Sequence, residues 1–324
     1  MKHIYPTLTL IFAAALGIAL AACNDDNPEA GPTTVSGNVN SNATRVFNGV
    51  TERTSTDLHQ VATRLEMPQL NRTGENNLFV VHTVSTGVNY SMEYDCDLRA
   101  QRWTAYRWDD SNIRKAVTRT DAWNVDPLIP QAYQTTGDDY TSSGYTRGHI
   151  VASEDRVYSR EANEQTFYYS NMHPQLYGFN TQGIWWNVEN LLIRDRYCHF
   201  DRGNANYFCD TLYVVKGGTI GPVTINGSQV NGYTWAQGRG QRLVCPRYFF
   251  MALLRKSSKD TTQGGYAAIG FWMEHKSNTD SDYRQYAVSI DELERLTGID
   301  FFCNLPDNLE NQVESNLVLS LWKI

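Results

Sequence analysis

Residues 145–194 hold most of the side chains that could hydrolyse a phosphodiester bond. His149 is of the residue type whose pKa near neutrality suits a general base. Arg147 and Arg156 offer planar donors that match the oxygens of a phosphate group. Asn180 offers a carbonyl oxygen, a ligand type that Mg²⁺ accepts while it keeps most of its waters, and Glu189 adds a carboxylate. These residue types together predict metal-assisted hydrolysis.

The elements that must position these side chains can be inferred from hydrophobic patterning. Apolar, β-branched and aromatic runs predict strands at residues 78–84, 88–94, 103–106, 212–215, 248–254 and 267–273, and residues 109–145 are rich in turn formers. Trp185, Val188 and Leu192 fall at helical spacing, and Ser289 and Gly298 mark the start and end of a later helix. We therefore predict an α+β fold, a mostly antiparallel sheet core with flanking helices.

Three motifs lie in this order within the polar segment. They are Arg147-Gly148-His149, then Ser170-Asn171-Met172 with Pro174-Gln175, then Asn180 with Gly183, Trp185 and Glu189. The segment resembles the DNA/RNA non-specific endonuclease family, ββα-metal (His-metal finger) nucleases that include secreted bacterial nucleases and mitochondrial endonuclease G. Blocks such as 217–220, 268–272 and 290–302 extend the resemblance over roughly residues 78–315, and they are similar to the exported lipoprotein branch.

The resemblance implies a role for each matching residue. It implies that the chain is a sugar-nonspecific endonuclease for DNA and RNA, which needs Mg²⁺ or another divalent ion such as Mn²⁺. The implied roles are His149 as general base, Asn180 as the direct protein ligand of a hydrated Mg²⁺, Glu189 as the carboxylate that holds a metal-bound water, Asn171 as a supporting polar residue, and Arg147 and Arg156 as phosphate or scaffold contacts.

The chain departs from the family motif in two places. Thr146 stands where the family has an aspartate before Arg-Gly-His. Two residues, Thr181 and Gln182, separate Asn180 from Gly183, where the family has one. Because one extra residue turns a helix by about 100°, alignment on Gly183 would move the ligand position to Thr181. We favour Asn180, with the extra residue absorbed before the helix begins.

Simpler roles compete with the catalytic ones. Asn180 could serve as a helix N-cap, and Arg156 could be a structural partner of Asp155 or Glu154. The formal net charge of −7 is unusual for a nucleic-acid binder. The alternative function is therefore a nuclease-fold lipoprotein, weakly active or inactive, that binds nucleic acid or protein.

The first 55 residues predict export and anchoring. Residues 1–22 read as a signal peptide whose apolar core, residues 8–22, is too short to span a bilayer comfortably as a mature helix. The core ends in the lipobox-like sequence Leu20-Ala21-Ala22-Cys23. We expect lipidation of Cys23 and a periplasmic or cell-surface lipoprotein; an ordinary secretory signal is the alternative. Polar residues 23–55 predict a flexible tether, or else an arm packed on the domain, before a single domain at 56–324.

Export permits disulfide bonds among the five later cysteines. Cys198 and Cys209 bracket a polar stretch that looks like a loop between strands. We therefore predict a disulfide between these two residues. No CxxC pair is present, which argues against a structural zinc site.

Overall fold

A seven-stranded antiparallel sheet forms the centre of the computed structural model, which describes residues 38, 40–42, 58–70 and 76–324. In spatial order, its strands are β1 (Asn77–Val84), β2 (Gly87–Asp95), β3 (Ala100–Trp108), β6 (Thr211–Gly218), β11 (Tyr248–Lys256), β12 (Tyr266–Glu274) and β13 (Ala287–Val288). All six strands predicted from the sequence are confirmed as members of this sheet.

Three two-stranded hairpins flank the sheet. They are β4 (Thr146–His149) with β5 (Met172–Gln175), β7 (Pro222–Ile225) with β8 (Ser228–Asn231), and β9 (Tyr233–Ala236) with β10 (Leu243–Pro246). The helices are α1 (Leu58–Ala62), α2 (Gly137–Tyr140), α3 (Arg160–Gln165), α4 (Tyr177–Asn180), α5 (Ile184–Asn187), α6 (Ile290–Thr297) and α7 (Asp307–Ser315). Helix α5 continues as a wide-turn π-helix over Val188–Tyr197. The α+β architecture is confirmed.

Both faces of the central sheet are covered, since side chains alternate between them along each strand. Phe249, Met251 and Leu253 of β11 join one core, which also contains Trp185 and Val188 of the α5–π-helix segment. Phe250, Ala252 and Leu254 join the opposite core, which is covered by α6 and α7. The predicted helix 290–297 is confirmed, with Ser289 as its N-cap and Gly298 at φ 68° as its C-cap. No helix among the described residues is long and apolar enough to cross a bilayer.

Part of the expected tether packs on the domain. Asn42 is fully buried, and its side chain bonds with the backbone of Ala62, Pro68 and Leu70 at 3.0–3.1 Å. Ser41 donates to Asn304 at 3.0 Å. The prediction of a flexible tether is therefore wrong at residues 38 and 40–42, where polar side chains satisfy buried backbone groups of the domain, and the alternative of a packed arm holds. Cys23 and the signal segment lie outside the described residues.

Candidate active site

His149 stands at the end of β4, in the hairpin that β4 forms with β5. Gly148, just before it, pairs with His173, and a Cβ atom on Gly148 would lie 2.2 Å from the Gln175 side chain. Only glycine therefore lets the two strands approach this closely. The imidazole packs edge-on against Trp123 and Phe167, with centroid distances of 5.3 and 5.1 Å. Its Nε2 has no hydrogen-bond partner among the described residues.

The surroundings of His149 favour the neutral imidazole. Burial, aided by the positive charge of Arg119, lowers the pKa of His149 to about 3, while a hydrogen bond with the backbone of Arg147 opposes the shift. We expected a pKa near neutrality from the residue type, and the aromatic enclosure accounts for the difference. The ring is therefore uncharged at neutral pH and its Nε2 carries a lone pair, but a pKa this low makes it a weaker proton acceptor than an ordinary histidine.

Asn171 supports the chain directly after His149. It is fully buried, its Nδ2 donates to the carbonyls of Val151 and Thr166 at 2.9 and 2.8 Å, and its Oδ1 accepts from the Val151 amide at 2.9 Å. All three hydrogen bonds of the Asn171 side chain are thus with backbone groups. Asn171 is a positioning residue that holds the β4 end in place, and it does not contact the cleft.

Asn180 is the last residue of α4 and faces the same cleft as His149. Its Nδ2 donates to the Thr146 hydroxyl at 2.9 Å, and that hydroxyl donates to the Gln175 carbonyl at 2.9 Å. The amide plane is therefore fixed by β4 and β5. Asn180 Oδ1 has no hydrogen-bond partner among the described residues, so an oxygen ligand is left available, and this donor type fits hydrated Mg²⁺.

The extra residue is accommodated between two short helices. Helix α4 ends at Asn180, Thr181 is its C-cap, and α5 begins at Ile184 after the N-cap Gly183. The Thr181 hydroxyl donates a hydrogen bond to the Tyr177 carbonyl of the same turn at 2.7 Å, so this hydroxyl already has a partner within α4 and its C-cap. Asn180 therefore keeps its position in the cleft, although it ends a helix and does not act as an N-cap.

Glu189 belongs to a buried cluster of charged side chains beneath the cleft. Its Oε1 accepts from Lys216 Nζ at 2.7 Å, and Lys216 also donates to Asp155 Oδ2 at 3.0 Å. Asp155 also pairs with Arg194 at 3.0 Å and accepts from the Tyr106 hydroxyl at 2.6 Å. Each buried charge is thus compensated by an opposite one, which fixes the Glu189 carboxylate at the cleft wall.

The same cluster sets the pKa values of its two carboxyl groups. Burial by itself raises the pKa of Asp155, but Lys216 and Arg194 outweigh it and hold the value at about 2. For Glu189, burial and the charge of Asp155 raise the pKa, although Lys216 opposes them. Lys216 was not predicted from the sequence because no motif includes it. However, Leu212, Val214 and Lys216 are two residues apart on β6, so they lie on the same face of the sheet, and this face supports the site.

Arg147 lies exposed at the cleft, with its guanidinium 3.8 Å from the centroid of the Trp123 ring. Arg119 lies 4.6 Å from the Phe167 ring. These two arginines and Arg194 line a cleft of about 650 Å³ together with Glu154 and Glu189. The acidic composition of the whole chain therefore does not extend to this surface, where cations outnumber carboxylates. Arg119 and Trp123 were also missed, since they lie in the turn-rich segment before the motifs.

Comparison with known proteins agrees with this geometry. The model of the DNA/RNA non-specific endonuclease family matches residues 73–308. The chain belongs to this family. That membership places it among endonucleases and accounts for the ββα arrangement of β4, β5 and the α4–α5 segment.

Individual relatives within the endonuclease family have low sequence identity to this chain, but each matches two thirds of it or more. A nuclease of Nostoc sp. is 28% identical over 70% of this chain and 76% of its own length. The mitochondrial nuclease EXOG of Mus musculus is 29% identical over 67% of this chain, and the chain spans only 56% of that relative. A chain of the solved EndoG/EndoGI complex superposes with a TM-score of 0.56 at 22% identity, covering 72% of this chain and 89% of its own, which shows a shared fold.

One predicted substrate contact of this endonuclease is wrong. Arg156 is 1% exposed and lies outside the cleft. Its guanidinium stacks 4.0 Å from the Tyr106 ring and donates to the Asp155 carbonyl at 2.9 Å. These contacts leave it no access to a phosphate group, so Arg156 is a structural residue, as the alternative interpretation held.

The predicted disulfide is not formed. Cys198 and Cys209 are both free thiols in the structure. They do bracket a loop, closed by a backbone hydrogen bond from Phe208 to His199 at 2.7 Å, but this loop joins the π-helix to β6 and does not connect two strands. Burial raises the pKa of both thiols, which disfavours the thiolate that oxidation to a disulfide requires.

Proposed function

We propose that this endonuclease hydrolyses phosphodiester bonds in both DNA and RNA, with His149 as general base and a hydrated Mg²⁺ held by Asn180. Mn²⁺ is expected to substitute. The observation that carries the proposal is the shared cleft, in which an uncharged imidazole with a free Nε2 faces an asparagine whose Oδ1 is open. These are the proton acceptor and the hard oxygen ligand that metal-assisted hydrolysis requires.

The neighbouring residues supply the rest of the chemistry. His149 Nε2 accepts a proton from the attacking water, and Arg147 and Arg119 attract the phosphate charge. Glu189, held by Lys216, accepts hydrogen bonds from water at the cleft wall. When bound, the metal ion neutralises charge on the phosphoryl and leaving oxygens. Because the charged groups contact the phosphodiester backbone of the nucleic acid and do not read the edges of its bases, both DNA and RNA are accepted as substrates.

Cleavage of supercoiled plasmid and of RNA by the purified protein tests this proposal. We expect cleavage of both substrates in Mg²⁺, none in EDTA, and loss of roughly a hundred-fold or more of the rate in His149→Ala, the scale of a removed general base. His199→Ala is the matched control, because His199 lies outside the cleft. Binding without cleavage by the wild type in any divalent ion would instead favour a binding module.

We further propose that the protein is exported and anchored through a lipid on Cys23. The lipobox-like sequence that ends at Cys23 supports this proposal. When the chain is expressed in a bacterial host that lipidates exported proteins, we expect incorporation of labelled palmitate into the wild type and fractionation with membranes, and neither in Cys23→Ala. A soluble, unlabelled wild-type protein would contradict the anchor.

A further inference from the structure

Three acidic side chains converge between α6 and α7, on the sheet face opposite the nuclease cleft. Carboxylate oxygens of Asp291, Glu294 and Glu314 all lie within 4.8 Å of one another. Asp291 and Glu294 stand in successive turns of α6, and Glu314 lies near the end of α7. Asp291 is exposed, Glu294 is half-buried and Glu314 is buried, so the cluster opens to solvent at one end.

The environment of Glu314 points to a missing cationic partner. The side chain is only 5% exposed, and its Oε1 has no hydrogen-bond partner among the described residues. It also stands near the C-terminal end of its helix, where the helix dipole opposes a negative charge. A buried carboxylate with these properties is costly unless a cation or a proton compensates it.

Among the described residues, the neighbours with the strongest effect on the cluster add negative charge to it. Burial, together with the carboxylates of Glu294, Glu310, Asp300 and Asp291, raises the pKa of Glu314 to about 11. Burial likewise raises the pKa of Glu294 to about 8. The arginine on the same helix, Arg295, is engaged with Glu292 at 2.6 Å.

A second pair of carboxylates is already satisfied by neutral donors. Asn40 Nδ2 donates to Glu310 at 2.9 Å and to Asp300 at 3.1 Å, and Gln69 also donates to Asp300 at 3.0 Å. Glu310 and Asp300 thus have donors of their own. The carboxylate oxygens that lie within 4.8 Å of one another are those of Asp291, Glu294 and Glu314.

We propose that Asp291, Glu294 and Glu314 bind one Ca²⁺ ion that fastens α6 to α7 and is separate from the catalytic metal. Ca²⁺ takes several oxygen ligands at about 2.3–2.6 Å in irregular geometry, so carboxylates from two helices and waters at the open end suit it. Mg²⁺ requires shorter bonds and near-octahedral order, which carboxylates spread over this distance match less well.

Calorimetric titration of Ca²⁺ into the chelator-treated protein tests the site, and thermal unfolding in Ca²⁺ or EDTA provides a second readout. We expect binding at about millimolar Ca²⁺ or tighter, an increase in Tm with Ca²⁺, and a loss of affinity of about ten-fold or more in Glu314→Gln. The Glu314→Gln protein should be about as stable as the wild type in EDTA, because glutamine resembles the protonated, uncharged carboxyl group that burial favours at this position. Glu292→Gln is the matched control on α6, and Asn180→Ala should leave this Ca²⁺ site intact.

Two results would overturn the proposal. One is Ca²⁺ affinity that is unchanged in both Glu314→Gln and Asp291→Asn. The other is a wild-type Tm that rises on acidification but does not respond to Ca²⁺, which would show that protons alone neutralise the cluster.

Discussion

Thr146 stands where the endonuclease family has an aspartate, and its hydroxyl joins Asn180 to the Gln175 carbonyl. The substitution therefore keeps a hydrogen-bonding group beside the proposed metal ligand, although it removes a negative charge. This hydroxyl orients Asn180 so that Oδ1, and not Nδ2, is left for a cation. Thr146 is thus a positioning residue for the proposed metal site.

Thr146→Val should weaken the response to Mg²⁺ more than the maximal rate. Valine preserves the volume but removes both hydrogen bonds, so the Asn180 amide is free to rotate. We expect the half-saturating Mg²⁺ concentration for plasmid cleavage to rise by about ten-fold, with a smaller change at saturating Mg²⁺. Thr181→Val serves as control. A Mg²⁺ response that is identical to that of the wild type would argue against this role.

The low pKa of His149 has a consequence for the pH profile. The competent form is the neutral imidazole, and with a pKa of about 3 in the free protein it persists well below pH 6.5. We expect kcat/KM, measured with limiting plasmid, to show no loss due to His149 between about pH 8 and pH 5. Because folding favours the neutral ring, His149 costs stability as the pH falls below its unfolded pKa. An acidic limb near pH 6.5 would contradict the enclosure of the ring.

Lys216 is the residue on which the buried charges beneath the cleft depend. Lys216→Met would leave Glu189 and Asp155 without their shared partner, and removing one member of a buried ion pair costs about 3–5 kcal/mol. We expect urea unfolding to show a loss of that size, together with reduced cleavage. Lys276→Met, at an exposed pair with Glu274, should have little effect on either quantity. An unchanged free energy of unfolding in Lys216→Met would show that the buried charge cluster does not stabilise the fold.

At the scale of elements, hydrophobic patterning predicted the sheet and the local motifs predicted the site. The nearly continuous apolar runs of β6 and β11 were sufficient because both strands are buried on two faces. The sequence Arg147-Gly148-His149 forms a short strand that pairs with β5. The Lys216 contacts with Glu189 and Asp155 join residues 27 and 61 positions apart, so no local pattern could reveal them. Arg156 was misassigned for the same reason, since its burial depends on distant Tyr106.

The π-helix at Val188–Tyr197 could also not be predicted from the sequence. Its wide turns follow α5 directly, and they carry Glu189 and Arg194 towards Lys216 and Asp155. Spacing of Trp185, Val188 and Leu192 predicted an ordinary helix, and all three residues are indeed buried. Wide turns of this kind are frequent at functional sites, where they redirect side chains.

On the scale of the whole molecule, the N-terminal arm connects α1 to the segment before α7. Asn42→Ala would remove three side-chain hydrogen bonds and leave the Pro68 carbonyl and the Leu70 amide unpaired, whereas the Ala62 carbonyl keeps its bond from Asn304. We expect urea unfolding to give a loss of about 3 kcal/mol, with cleavage in the folded protein unchanged. Asn206→Ala, on an exposed loop, is the control. Equal stability of the two variants would show that the arm is not part of the domain.

The measurement that tests the central claim most directly is the rate of plasmid cleavage by Asn180→Ala and Thr181→Ala as Mg²⁺ is varied. The geometry predicts that Asn180→Ala loses nearly all cleavage at any Mg²⁺ concentration that saturates the wild type. Thr181→Ala should stay within about two-fold of the wild type, because its hydroxyl bonds within its own turn. Full activity in Asn180→Ala, with loss in Thr181→Ala, would show that the extra residue has shifted the ligand and would contradict the account.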